Sequence, residues 1–245
     1  MPVMPFRRLT AAAVLCGVIA VAGACTGGSK EAAPTAFASF ADSYFDSLYA
    51  FAPSQGTAAG FHQYDARIED FSAGRERARA ATLKAQLARL DTLRSGTLAL
   101  DDSIDASMID GAIRSELQDI EVVRSWQKNP MGYAGLAGSA VDLLMKRNFA
   151  PPVERLKSVT SRLRGIPAVL DAMRANVENP PKEFTDLAIQ IADGSVGFFK
   201  GDVAKWAKES AGADTAALRE FTAVNDSVAA AMQSAAAWLK KDLKP

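Results

Sequence analysis

From Ala36 onward, apolar residues recur at intervals of three and four, the spacing that lines one face of an α-helix. Phe37, Phe40, Tyr44, Leu48 and Phe51 step by 3, 4, 4 and 3 and make one aromatic-rich face. Pro53 should end that helix, because proline has no N–H to continue the ladder. Residues 55–72 read as a connection. Ser72 is suited to cap a helix running to about Leu93, with Leu83, Leu87 and Leu90 inward. The next helix has apolar positions Ile109, Ile113, Leu117, Ile120 and Val123, with Asp101 or Asp102 as its expected cap. Asn129-Pro130 breaks the chain, and Gly132 to Arg147 predicts another helix. Pro151-Pro152 opens a long one, in which Val153, Leu156, Val159, Leu163, Ile166, Leu170, Met173 and Val177 form an unbroken stripe. Pro167 should kink it unless a neighbour compensates. After Asn179-Pro180-Pro181, Phe184 to Trp206 predicts a helix softened by Gly194, Gly197 and Gly201. The last helix should start near Asp214 and carry Leu218, Phe221, Val224, Val228, Met232, Ala235 and Leu239 inward. No stretch shows the sustained apolar/polar alternation of a strand. The expected fold is all-α: an antiparallel assembly of about seven or eight helices in one domain, residues 36–245.

The first 35 residues follow another pattern. Arg7 and Arg8 precede a 16-residue run of small and apolar residues, Leu9 to Ala24. That is shorter than the roughly 20 residues that span a bilayer and suits a signal peptide. The run ends Ala22-Gly23-Ala24-Cys25, which resembles a bacterial lipobox. Residues 1–24 are therefore expected to be a lipoprotein signal peptide, Cys25 the lipidated residue and residues 25–35 a flexible tether rich in small and polar residues. Cys16 leaves with the signal, so the mature chain has no partner for a disulfide. Thr26 rather than Asp follows Cys25. The expected location is the cell envelope: anchored to the membrane through Cys25, in the outer membrane, facing the periplasm.

Composition narrows the function by exclusion. The 245 residues include 28 Lys+Arg and 28 Asp+Glu, so there is no net basic field to attract nucleic acid. A hydrophobic fraction of 49% supplies a core and excludes global disorder. The chain has one histidine, His62, and a metallopeptidase helix of the H-E-x-x-H kind needs two. There is no G-x-S-x-G nucleophile elbow and no phosphate-binding loop. Asp65 stands three residues after His62 and is placed to orient its ring. The acidic group Asp101, Asp102 and Asp105 lacks the ligand order of a calcium loop and reads as helix capping. Arg75, Glu76, Arg77 and Arg79 read as a solvated helix face. Trp126, Trp206 and Trp238 read as core or interface anchors.

Several phrases occur in a shared order. Phe45-Asp46 through Pro53, Gly60-Phe61-His62-Gln63-Tyr64-Asp65 and Asp70-Phe71-Ser72 resemble the opening of the bacterial domain-of-unknown-function family 885. Trp126-Gln127-Lys128-Asn129-Pro130 with Tyr133 is similar to its W-x-x-N-P-x-x-Y phrase. Phe149-Ala150-Pro151 with Glu154-Arg155-Leu156, Arg162-Leu163 with Ile166-Pro167, and Asn179-Pro180-Pro181 with Phe184-Thr185 continue the resemblance to about residue 200. It implies a helical, secreted or lipid-anchored protein whose longer members carry a second half. That half has a His-Glu-x-x-Pro-Gly-His helix similar to those of zinc peptidases, where two histidines would hold zinc and a glutamate would activate water. The sequence reaches Pro245 without that motif. The resemblance thus implies the non-catalytic N-terminal half, with no cofactor in this chain and zinc only in the missing C-terminal half. His62, Tyr64, Asp65, Asn129 and Tyr133 match the family's patterned polar positions, as cleft residues or as structural hydrogen bonders.

Two main readings follow, beside a weaker one in which His62 serves a hydrolase. One is a lipid-anchored half-protein forming one wall of a peptide cleft, whose partner is a separate C-terminal half or a peptide. It should leave an apolar face uncovered on the last helix around Phe221, Val228 and Trp238. The other is a complete, non-enzymatic lipoprotein that binds a partner or ligand through its helical surface.

Overall fold

The computed structural model describes residues 35–243. The signal peptide 1–24, the lipidation residue Cys25 and all but the last residue of the tether lie outside the described residues. Among those described, the regular elements are helical: α1 Ala36–Phe51, α2 Pro53–Ala58, α3 Ala73–Arg94, α4 Leu100–Gln118, α5 Ser125–Lys128, α6 Pro130–Lys146, α7 Pro152–Asn176, α8 Lys182–Phe198, α9 Ala204–Ala211 and α10 Thr215–Trp238. Seven of these run 16 residues or more, so the expected all-α assembly is the one that forms. Turns of π-helix extend α4 at Asp119–Val123 and join α8 to α9 at Phe199–Val203, and a 3-10 turn covers His62–Tyr64.

Short polar side chains and prolines set the boundaries. Thr35, Ser72, Asn129 and Asp214 each accept a backbone N–H of the helix they open, satisfying donors that the first turn leaves free. Pro53, Pro130 and Pro152 occupy first-turn positions, where a missing N–H costs nothing. Three boundaries differ from expectation. Pro53 ends α1 but also starts α2 inside the expected connection. Ala99, not Asp101 or Asp102, is the cap of α4; both aspartates fall in its first turn, where they still face the positive end of the helix. The glycine-bearing stretch after Phe184 is interrupted by the π-turn at Phe199–Val203. By contrast α7 continues through Pro167 to Asn176, with Ile166, Val169 and Leu170 around the proline buried.

Two apolar clusters form. The larger joins α6, α7, α8, α9 and α10; α7 packs against α6 and α10, and α8 packs against the same two helices. The smaller joins Phe37, Phe40 and Tyr44 of α1, Leu83 and Leu90 of α3, and Ile109 and Ile113 of α4. The inward face of α10 is part of the larger core: Phe221 and Val228 are buried and Trp238 is half-buried against it. The expected uncovered face on the last helix is therefore absent. That stripe packs onto α7 and α8. Exposed apolar residues occur instead at Leu100, Ile104 and Met108 of α4 and at Val122 and Val123 after it. No helix among the described residues is long and apolar enough to cross a membrane.

Candidate functional site

The five patterned polar residues fall into two separate groups. The first group surrounds a buried arginine. Arg162, on the core stripe of α7 and 1% exposed, donates to the carbonyl of Ala140, to Thr57 Oγ1 and to the carbonyl of Tyr64. Thr57 Oγ1 in turn donates to Asp65 Oδ1 at 2.7 Å, and Asp65 Oδ2 lies 3.0 Å from His62 Nδ1. Burial lowers the Arg162 pKa, while Glu69 and Asp65 oppose that shift. Tyr64 is buried beside Tyr49. His62 is exposed, and its ring stacks on Phe149 with centroids 4.1 Å apart. His62, Tyr64 and Asp65 thus belong to one hydrogen-bonded assembly that fixes α2 and the 3-10 turn onto α6 and α7.

The second group borders a cleft of about 230 Å³ lined by Phe51, Phe71, Glu76, Glu116, Asp119, Ile120, Ser125, Trp126, Asn129, Gly132 and Tyr133. Asn129 Oδ1 accepts the Met131 N–H at 3.0 Å, which is its capping role. The Tyr133 hydroxyl donates to the Trp126 carbonyl at 2.5 Å and accepts from Asn176 Nδ2 at 3.1 Å. Asn176 also donates to the Phe71 carbonyl at 2.6 Å. Burial pushes the Tyr133 pKa up to about 12, so this hydroxyl stays protonated and works as a strut. Trp126 Nε1 donates to the Ile120 carbonyl at 3.1 Å.

The charged lining departs from the solvated face that the sequence suggests. Arg75 and Arg77 are exposed, but Glu76 and Arg79 are buried, at 5% and 3% exposed. Arg79 reaches across to α4, giving Glu116 two bonds, Nε to Oε1 at 2.6 Å and Nη2 to Oε2 at 2.8 Å, and donates to Ser47 at 3.0 Å. Asp119 accepts from Ser125 Oγ at 2.5 Å. Among the described residues Glu76 has no such partner. Burial, then Glu116, Asp119 and Asp70, raise its pKa to about 7 against the lowering pull of Arg79. The sequence held a signal for these residues. Carried back by one turn and then two, the Leu83–Leu87–Leu90 stripe of α3 reaches Arg79 and Glu76. On α4, Glu116 sits between Ile113 and Ile120 on the inward side. Chemically, the cleft offers one unpaired carboxylate among aromatic walls. Among the described residues, no group of three or more His, Cys, Asp or Glu is arranged to hold a metal ion.

Comparison with known proteins agrees with the fold. A sequence model of the family described as "Bacterial protein of unknown function (DUF885)" matches residues 53–245. No curated protein matches the chain. A solved structure described as "a putative lipoprotein of unknown function" from Shewanella oneidensis is 30% identical, with a TM-score of 0.74. The match covers 84% of this chain and 37% of that one, so the chain spans well under half the length of that relative.

Proposed function

This chain belongs to the bacterial protein family of unknown function DUF885, and we propose that it is an envelope lipoprotein whose helical domain binds a peptide in the cleft between α3, α4 and α6. Cys25 is the anchor, which holds the domain at the outer membrane on its periplasmic side. The similarity to a protein described as a lipoprotein supports the anchor. The domain binds rather than catalyses, and its own helices supply the cleft lining. The observation that carries this reading is the cleft itself, which Phe71, Trp126 and Tyr133 line together with Glu76, a carboxylate with no partner among the described residues. At about 230 Å³ the cleft is smaller than the roughly 300–1,000 Å³ of drug-sized ligand sites, a size that suits one side chain of a bound peptide. The zinc implied by family resemblance has no donor set among the described residues, and no part of the binding runs through it.

Gly132 gives the test. A Cβ there meets nothing within 4 Å, and the residue lines the cleft in the first turn of α6. Gly132→Trp should therefore fill the cleft without disturbing the fold. The full chain, extracted from membranes in detergent, should show an acylated N-terminal Cys25 by mass spectrometry. Immobilised, it should retain peptides from a tryptic digest, and the Gly132→Trp chain should retain at least tenfold less. Equal retention by a folded Gly132→Trp chain would exclude the cleft as the binding site.

A further inference from the structure

Among the described residues, the polar groups around the cleft are already engaged, with one exception. Glu116 is held by two bonds from Arg79, Asp119 by Ser125, Asn129 by the α6 backbone, and Tyr133 by Trp126 and Asn176. Glu76 remains, buried yet bordering the cleft, with no hydrogen bond or ion pair among the described residues. A carboxylate removed from bulk water and left unpaired is unfavourable on its own. An incoming cation would supply the missing counter-charge. When Glu76 is ionised, it, Glu116 and Asp119 outweigh Arg79, and Asp70 adds to the negative field. The walls suit the same class of ligand, since aromatic faces attract ammonium and guanidinium groups. The fold itself uses this contact at the cleft edge, where the guanidinium carbons of Arg79 and Arg75 lie 5.1 and 5.7 Å from the Phe51 ring centre. Phe51 is occupied in this way, whereas Phe71 and Trp126 lie on the cleft without such a cation among the described residues.

We propose that the cleft recognises an organic cation of side-chain size, a guanidinium or an ammonium, held by Glu76 between Phe71 and Trp126. The proposal rests on reading the cleft as the binding site and names the chemistry of its ligand. That cation is either the basic side chain of a peptide or a free polyamine.

Calorimetric titration of the full chain in detergent at pH 8 separates the possibilities. The probes are N-acetylarginine amide, its citrulline counterpart, which replaces the guanidinium by a neutral urea of nearly the same shape, and spermidine. The arginine amide should bind at least tenfold more tightly than the citrulline amide. Glu76→Gln should remove at least tenfold of that affinity, and Glu76→Asp, which keeps the charge, should restore part of it. Tighter binding of spermidine than of the arginine amide assigns the ligand as a polyamine, and the reverse assigns a basic side chain. Equal affinity for arginine and citrulline, or unchanged affinity in Glu76→Gln, overturns the proposal. Should that happen while Gly132→Trp still abolishes peptide retention, the cleft remains the binding site and only its charge selectivity is lost. Peptide retention by Gly132→Trp would remove the site itself.

Discussion

Arg162→Ala is expected to destabilise the protein by about 3–5 kcal/mol, the range for breaking a buried charged network by removing one partner. Arg162 donates to two carbonyls and to Thr57, and through Thr57 it holds Asp65. Truncation leaves the Ala140 and Tyr64 carbonyls without this donor and the Asp65 carboxylate buried with its counter-charge gone. It also opens a cavity on the core stripe of α7. The loss should appear as a lower midpoint in urea denaturation, and His62 should lose its stacking on Phe149 as the 3-10 turn loosens. Arg162→Met, which fills volume without charge, should recover part of the cavity term but not the hydrogen bonds. A loss below about 1 kcal/mol for the alanine variant would mean that the network is not structural.

Phe221→Ala should also cost about 3–5 kcal/mol, as large-to-small changes in a packed core do. Phe221 is 1% exposed and belongs to the core formed by α6 to α10. This substitution decides whether the apolar face of α10 is core, since the same residue on an uncovered face would change stability by only a few tenths of a kcal/mol. Urea denaturation of the full chain in detergent reads it directly. A change under about 1 kcal/mol would place Phe221 at a surface.

What the sequence made legible follows the strength of its repeating signals. The α7 stripe from Val153 to Val177 and the α10 stripe from Leu218 to Leu239 are long and unbroken, and both become core. The capping residues Ser72 and Asp214 do what their side chains suit them to do. The cleft was only half legible. Asn129 and Tyr133 carried a family phrase, whereas Glu76 and Arg79 lay in a run of charges that looked solvated. Charge obscured their position, since the helical period places both on the buried face of α3. His62 and Tyr133 were grouped by pattern alone, yet one stacks on Phe149 and the other borders the cleft. Only the tertiary fold separates them. The contacts of Arg162 also lay beyond sequence reading, because its partners Thr57 and Ala140 stand 105 and 22 residues away.

Glu76 is central to the proposed site: a buried carboxylate on the cleft with no hydrogen bond or ion pair among the described residues. Its sign in stability is fixed. Because folding raises the Glu76 pKa to about 7, the folded state holds this proton more tightly than the unfolded chain. Stability from this group is therefore fullest below about pH 4.5 and falls as pH rises through 7. The charges around it are Asp70, Arg79, Glu116 and Asp119, with Tyr133 across the cleft. The decisive measurement is urea denaturation of the ligand-free full chain and of Glu76→Gln at pH 4 and pH 8. The two should be equally stable at pH 4. At pH 8 the glutamine variant should be more stable by about 1–2 kcal/mol, a figure reduced for solvent screening at the cleft, while losing its affinity for cations. A glutamine variant less stable than the parent at pH 8 would show that Glu76 already has its partner within the fold, and the cleft would then have no charge left to offer a ligand.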